Sequence, residues 1–132
     1  MSSGSPLSIG VMVSGRGTNL QAILDGCDDG SIPGEVKVVV SNREGAKALD
    51  RAAARGVPAI AAPHRSFGKW PVCRPLYEKR IVRILKDHGV ELLVLAGYDR
   101  LVGDDILKAF PSRIINIHPA LLPSFPGLTA QA

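Results

Sequence analysis

The amino-acid sequence predicts an α/β protein with an open, mostly parallel sheet and helices on both faces. Short apolar segments alternate with helical patterns along the whole chain, as they do where crossover helices join parallel strands. The segment 92–96 is continuously apolar, which is typical of a strand that is buried on both sides. A glycine-rich turn at 14–19 separates the first predicted strand from the first predicted helix.

Composition indicates one ordinary globular domain. The chain has 132 residues, of which 45% are hydrophobic and 21% are charged. The net charge of +4 is dispersed and aromatic residues make up only 5%, so we expect an anionic small molecule as partner and no nucleic acid. Cys27 and Cys73 form no metal or disulfide motif, which favours free thiols in the cytoplasm.

The domain is expected to span residues 8–132, after a polar lead at 1–7 that we expect to be disordered. No apolar run has the length of a membrane span, so no membrane partner is expected. Strands are predicted at 7–13, 36–40, 58–62, 92–96 and 114–117, and helices from Leu20 onward and at 46–55, 75–88 and 104–110.

Several side chains in these elements have predicted roles. Asn19 is predicted to cap the first helix or to contact a ligand, and Asp104 is predicted to cap the last one. His64 lies in a loop and is expected to be solvated, while Trp70 is either a lid or a packing anchor. In the helix 75–88, the pattern predicts a buried stripe of Leu76, Ile81, Ile84 and Leu85 and a solvated face of Glu78, Lys79, Arg83 and Lys86.

The turn Ser14-Gly15-Arg16-Gly17-Thr18-Asn19 is a candidate phosphate site. A glycine-rich turn before a helix points backbone N–H groups at an anion. The dinucleotide fingerprint fails because Leu20 stands where a third glycine belongs, and the Lys-Ser/Thr of a P-loop is absent. A monophosphate ligand is therefore favoured over a dinucleotide, and a tight turn without a ligand remains the alternative.

Asn116 and His118 form a candidate catalytic pair. They alternate in the last predicted strand and so share one face at its carboxyl end, before a loop with three prolines. An amide can stabilise a developing oxyanion and an imidazole can move a proton. The alternative is an edge strand with a capping Asn and a half-exposed His. One crevice could gather this pair with Gly17, Asn19 and Arg100.

These residues carry a resemblance to the phosphoribosylglycinamide formyltransferase family. The matching motifs are Ser14-Gly15-Arg16-Gly17-Thr18-Asn19-Leu20-Gln21-Ala22-Ile23, Val40-Ser41-Asn42, Leu95-Ala96-Gly97-Tyr98-Asp99-Arg100 and Asn116-Ile117-His118-Pro119-Ala120-Leu121-Leu122-Pro123-Ser124-Phe125-Pro126-Gly127. Methionyl-tRNA formyltransferases usually follow Leu-Leu-Pro with a segment that ends in Arg-Gly, and formyltetrahydrofolate deformylases usually have a second His in place of Pro119. The resemblance therefore favours the purine branch and a Rossmann-like formyltransferase fold.

The resemblance implies a role for each matching position. The phosphate of the ribonucleotide would bind to Gly17, Thr18 and Asn19. The folate would contact Arg74, and its pterin would lie against Asp99, Arg100, Leu101 and Val102. The catalytic residues would be Asn116 and His118, and Asn116 would also contact the cofactor. Family members usually have an apolar residue where this chain has Asp99. The implied reaction moves a formyl group from 10-formyltetrahydrofolate to the amine of 5'-phosphoribosylglycinamide in purine synthesis, without a metal, in a monomer or homodimer.

In the family, an aspartate that tunes the catalytic histidine lies beyond the Leu-Leu-Pro loop. The present sequence ends at Ala132, so we expect that aspartate and the last strands of the fold to be missing and activity to be impaired. Two alternatives remain open. One is a non-catalytic phosphate-binding module, and the other is a different formylfolate enzyme, such as a deformylase or a sugar-amine formyltransferase.

Overall fold

The computed structural model of the chain describes residues 6–70, 72–100 and 102–117. Within these ranges five strands and four α-helices alternate as predicted. The strands are β1 Leu7–Val13, β2 Gly34–Ser41, β3 Ala59–Ala61, β4 Leu92–Ala96 and β5 Ile114–Ile117. The helices are α1 Thr18–Asp29, α2 Lys47–Ala54, α3 Arg74–Asp87 and α4 Asp104–Ala109, with a 3-10 helix at His64–Phe67.

The sequence-predicted boundaries agree with these elements to within a few residues. The expected lead at 1–7 lies mostly outside the described residues, and its last residue, Leu7, already belongs to β1. The predicted strand at 36–40 is extended at both ends, to Gly34 and Ser41.

All strand pairs in the described sheet are parallel, and the strand order is β3-β2-β1-β4-β5. β1 is central, because Val11 lies opposite Val39 of β2 on one side and Val94 of β4 on the other. Since parallel strands all end at the same edge, the carboxyl ends of β1, β2, β4 and β5 lie along one edge of the sheet.

Helices cover both faces of the sheet, which confirms the predicted α/β architecture. On one face α1 and α2 pack on alternate residues of the central strands, in a core of Val11, Val13, Leu20, Ile23, Leu24, Val39, Ala48, Ala52 and Val94. On the other face α3 and α4 pack on the intervening residues, in a core of Met12, Val38, Val40, Tyr77, Ile81, Leu85, Leu93, Leu95, Ile106 and Phe110. This alternation follows from the two-residue period of a strand.

The buried face of α3 differs from the predicted one. Ile81, Ile84 and Leu85 are buried as expected, but Leu76 is 63% exposed and Glu78 is only 3% exposed. The prediction was wrong for these two positions because Glu78 lies three residues before Ile81 and so shares its face of the helix. A pattern that counts only apolar residues misses a carboxylate on the buried side.

Glu78 is buried because it caps a neighbouring helix. Its Oε2 accepts a hydrogen bond from the backbone N–H of Gly103 at 2.6 Å, and its Oε1 lies 3.4 Å from the backbone nitrogen of Ile106. Asp104, the predicted cap, is instead the first helical residue of α4, and Gly103 occupies the N-cap position without a capping side chain. A carboxylate there satisfies unpaired N–H groups and complements the helix dipole. Glu78 thereby ties the end of the segment 97–103 to α3.

Two further expectations concern the cysteines and the possibility of a membrane-spanning helix. Cys27 and Cys73 are both free thiols, as predicted. In the part of the chain that the structure describes, no helix is long and apolar enough to cross a membrane.

We expect Glu78→Leu to lower the free energy of unfolding by about 1–3 kcal/mol, because two backbone N–H groups would be left buried without an acceptor. The matched control is Leu76→Ala on the same helix, which removes a largely exposed side chain and should change stability by no more than about 0.5 kcal/mol. Urea unfolding measures both. The capping role is contradicted if the two variants are equally stable, or if Leu76→Ala is the less stable.

Candidate functional site

A cleft of about 390 Å³ opens at the carboxyl edge of the sheet. The segment Gly15–Asn19, which connects β1 to α1, forms one wall, and Ala96 and Gly97 at the end of β4 form the other. The three residues expected to bind phosphate, Gly17, Thr18 and Asn19, all line this cleft. Open parallel sheets bind ligands in such crevices.

The amino end of α1 faces the cleft without a side-chain cap. Gly17 occupies the N-cap position with φ of 82°, and no side chain hydrogen-bonds to the first turn. Asn19 is already inside the helix, so its predicted capping role is wrong and a ligand contact is the alternative that stands. The first N–H groups of a helix have no partner within it, and the first turn of α1 holds no acidic residue. The geometry therefore suits an anion.

Helix α2 holds the glycine turn in place. The backbone N–H of Ala48 donates to the carbonyl oxygen of Gly15 at 3.1 Å, and Arg51 Nε donates to the carbonyl oxygen of Arg16 at 2.7 Å. A Cβ on Gly17 would lie 2.6 Å from Ala48 Cβ, so α2 approaches the turn closely. A turn supported in this way needs little reordering when it binds a ligand.

Asp99 links three strand ends at this edge. Its Oδ1 accepts a hydrogen bond from Asn42 Nδ2 at 2.9 Å, and its Oδ2 accepts one from Arg43 Nε at 3.1 Å and pairs with the guanidinium. The backbone N–H of Asp99 donates to Ser14 Oγ at 2.9 Å. The segments that follow β1, β2 and β4 are thus joined through one residue.

The pKa of Asp99 lies below its usual value of 3.8. Partial burial acts to raise the pKa, but hydrogen bonds from Arg43, Asn42 and Ser14 together outweigh it. The resemblance implied a cofactor contact for Asp99, yet its carboxylate is engaged by the end of β2. Sequence reasoning did not identify Asn42 and Arg43 as its partners, and the only signal was that both segments end parallel strands.

Arg100 lies in an aromatic cluster on the α3 side of the sheet. One of its terminal nitrogens is 2.8 Å from His64 Nε2, and its guanidinium carbon is 5.1 Å from the Trp70 ring centroid. Arg100 Nε is buried without a hydrogen-bond partner among the described residues and lies 4.0 Å from Asp99 Oδ1. His64 is half-buried, so the expectation that it is solvated was wrong.

Tyr77 lies at the centre of this cluster. The rings of His64, Phe67 and Trp70 meet the Tyr77 ring edge to face, at centroid distances of 5.6–6.2 Å. Trp70 packs against the core beside these rings, which supports its role as a packing anchor. Burial raises the pKa of Tyr77 to about 12, and its hydroxyl donates to the carbonyl oxygen of Ala62 at 2.7 Å. The cluster is therefore an aromatic wall in which Tyr77 stays uncharged at neutral pH and Arg100 carries a positive charge.

The remaining predicted site residues lie at the same edge or outside the described ranges. Asn116 is half-buried near the carboxyl end of β5, in register with Leu95 of β4. Arg74 begins α3, and its Nε would be 3.0 Å from a Cβ placed on Gly103. Val102 packs against the core on the α3 side. Leu101, His118 and the proline-rich loop 119–127 lie outside the described residues.

Within 6–70, 72–100 and 102–117, no three His, Cys, Asp or Glu side chains come close enough to hold a metal ion. The site as described therefore consists of a glycine turn, a helix terminus, an amide and an arginine-bearing aromatic wall. These groups can bind an anion and donate hydrogen bonds.

The family model described as "Formyl transferase" matches residues 7–132. The chain belongs to the formyl transferase family. This confirms the resemblance carried by the motifs at 14–23 and 116–127. A phosphoribosylglycinamide formyltransferase from Bacillus subtilis is 38% identical over 120 residues, which cover 91% of this chain and 60% of that protein.

Other relatives agree. The chloroplastic phosphoribosylglycinamide formyltransferase of Arabidopsis thaliana is 39% identical over 119 residues, covering 90% of this chain and 40% of that protein. The crystal structure of glycinamide ribonucleotide transformylase 1 from Symbiobacterium toebii superposes with a TM-score of 0.82 at 50% identity, covering 97% of this chain and 58% of that one. The chain thus resembles members of the family named for the purine substrate, and it spans between two fifths and three fifths of these three relatives.

We expect Gly17→Ala to destabilise the protein by about 2–4 kcal/mol, because the new Cβ would clash with α2 and strain a positive φ. The matched control is Gly15→Ala, two residues earlier in the same turn, where an added Cβ meets no atom within 4 Å and which should cost less than about 1 kcal/mol. Thermal and urea unfolding compare the two. Equal stability of the two variants would contradict the close packing of the turn on α2.

The Asp99 carboxylate should make the free energy of unfolding depend on pH. Because its pKa is lower in the folded state than in the unfolded one, its contribution is present above about pH 4 and is lost as the pH falls through the folded value. We expect Asp99→Asn to cost no more than about 1 kcal/mol at pH 7, since the pair is partly exposed, and to cost less at pH 3. A cost that grows as the pH falls would show that the assigned sign is wrong.

Proposed function

We propose that this chain carries the phosphate-binding and formyl-transfer part of a phosphoribosylglycinamide formyltransferase. The observation that carries the proposal is the uncapped amino end of α1, which faces a cleft between the glycine turn and the end of β4. Asn116 stands at the same edge of the sheet. Membership of the formyl transferase family and relatives named for this reaction support the assignment.

The ribonucleotide phosphate would bind at the amino end of α1. The backbone N–H groups of Gly17, Thr18 and Asn19 offer several donors to one phosphate group. The positive end of the helix dipole adds to this attraction. The short turn has room for a monophosphate and lacks the third glycine of a dinucleotide site.

The formylfolate would bind beside the segment 98–102. Arg100 Nε is a buried donor without a hydrogen-bond partner among the described residues, so the site fits a ligand that carries acceptor groups. The wall of Tyr98, Trp70 and Val102 offers apolar contacts for a ring system. Arg74, at the start of α3, adds a second cation near this segment.

In the reaction, the substrate amine attacks the formyl carbon and the bond from that carbon to the folate nitrogen breaks. Asn116 would donate a hydrogen bond from its amide to the formyl oxygen as negative charge develops there. One proton leaves the attacking amine and one is gained by the departing nitrogen. We assign that transfer to His118, because histidine is the residue type whose ordinary pKa lies closest to neutral pH. The proposed chemistry needs no metal ion.

We further propose a cytoplasmic protein that acts as a monomer or homodimer on small molecules. The free thiols of Cys27 and Cys73 support a reducing compartment. A non-catalytic module that only binds phosphate and a deformylase that uses water as acceptor are the competing assignments, and both are separated by the choice of acceptor in an assay.

We expect Asn116→Ala to lower kcat for formyl transfer by about 10²–10³-fold, with little change in the Kd for phosphoribosylglycinamide. The reason is that the amide donor acts on the developing oxyanion and not on the phosphate. The control is Arg113→Gln, an exposed residue just before β5, which should keep normal turnover.

Two outcomes would overturn the proposal. If the wild-type protein binds the nucleotide but transfers no formyl group, the binding-module assignment is correct. If it releases formate at the same rate with and without phosphoribosylglycinamide, water is the acceptor and the protein is a deformylase.

A further inference from the structure

His64 and Arg100 are joined across two loops at the carboxyl edge of the sheet. His64 begins the 3-10 helix that follows β3, and Arg100 follows β4, yet His64 Nε2 and a terminal nitrogen of Arg100 lie 2.8 Å apart. Trp70 contacts both side chains, with its ring centroid 5.2 Å from the His64 ring and 5.1 Å from the Arg100 guanidinium carbon. The three groups form one packed unit.

A hydrogen bond between these two side chains requires a neutral His64 ring. A guanidinium has five N–H donors and no acceptor, so the short contact is a hydrogen bond only if His64 Nε2 carries a free lone pair. The proton of the neutral ring is then on Nδ1. When the ring is protonated, Nε2 becomes a donor and two cations face each other across the former hydrogen bond.

We propose that His64 is a positioning residue that orients Arg100 for the cofactor, and that protonation of His64 releases Arg100. The part that concerns the cofactor rests on the proposed function, because Arg100 lies in the segment assigned to formylfolate. The part that concerns the His64–Arg100 pair rests on the contact alone. Cofactor affinity should therefore fall as the pH drops through the titration of His64.

The neighbouring groups are compatible with this behaviour. Charged and titratable groups near the pair include Asp99 after β4, Tyr77 in α3 with its neighbour Tyr98, and Cys73 at the amino end of α3. The Cys73 thiol lies 3.7 Å from the backbone carbonyl oxygen of His64. Asp99 is held by Asn42 and Arg43, so its carboxylate is already engaged by other partners.

His88 provides a natural comparison. Its Nδ1 lies 2.8 Å from the backbone carbonyl oxygen of Ile84 in the last turn of α3. A carbonyl accepts from an N–H, so this contact persists when the His88 ring gains a second proton. Protonation should therefore disrupt the contact of His64 and leave that of His88 intact.

The first test needs neither substrate nor activity. Trp70 is the single tryptophan of the chain, so its fluorescence reports directly on the unit that it forms with His64 and Arg100. We expect the emission to change in one proton step as the pH is lowered from about 8, with a midpoint below the ordinary histidine value of about 6.5, because the guanidinium disfavours the imidazolium. His64→Gln keeps an acceptor for Arg100 but cannot titrate there, so it should abolish the step, while His88→Gln should retain it.

A flat titration of the wild-type protein, or a step that survives in His64→Gln, would overturn the proposal. The emission of His64→Gln at pH 8 serves as the folding control. If the variant preserves the packed unit, that emission should match the wild-type emission at the same pH. A loss of that emission would mean that the neutral hydrogen bond is not what holds Arg100.

The second test concerns the cofactor. At pH 8, His64→Leu should raise the KM for 10-formyltetrahydrofolate about tenfold without a matching loss of kcat, which corresponds to removing one hydrogen bond to a charged group. His64→Gln should restore the KM and remove its rise at acidic pH. If the fluorescence step is present but the KM of His64→Leu is unchanged, the pair exists and its assignment to the cofactor is wrong. If no formyl transfer is detected at all, the proposed function fails independently of the pair.

Discussion

The parallel direction of the strand pairs within residues 7–117 is the constraint on which the described site depends. It brings the carboxyl ends of β1, β2, β4 and β5 to a single edge, although they are far apart in sequence. The glycine turn, Asp99 and Asn116 share a neighbourhood for this reason alone. Helices on both faces bury the central strands, which keeps that edge rigid. The site is a consequence of topology before it is a consequence of any one side chain.

Two kinds of local interaction convert this edge into a site. Some hold loops together, as Asp99 does with Asn42 and Arg43, and as Glu78 does with the amino end of α4. Others leave donors available, as the uncapped start of α1 does. Hydrogen bonds and ion pairs thus hold these loops together, whereas the start of α1 leaves backbone donors available where a phosphate is proposed to bind.

Much of this could be predicted from the sequence. Apolar runs and turn residues located the strands and helices, and the glycine spacing identified the turn that lines the cleft. Side chains with long-range partners could not be found in this way. Glu78 and His64 were predicted to be solvated because neither local periodicity nor loop position reveals an acceptor or donor that arrives from another element. Asp104 was predicted to cap α4 because it stands at the start of the helical pattern. The sequence does not show that the Glu78 carboxylate accepts hydrogen bonds from the amino end of α4 instead.

The proposed function depends most on the amino end of α1 as the binding site for the phosphate of a ribonucleotide. Titration calorimetry with phosphoribosylglycinamide, compared with ribosylglycinamide that lacks the phosphate, tests this claim directly. We predict binding of the phosphorylated compound and a loss of at least about tenfold in affinity without the phosphate, since hydrogen bonds to a charged group contribute about 1.5–3 kcal/mol. Equal affinity for the two compounds would show that the helix terminus does not bind phosphate and would contradict the account.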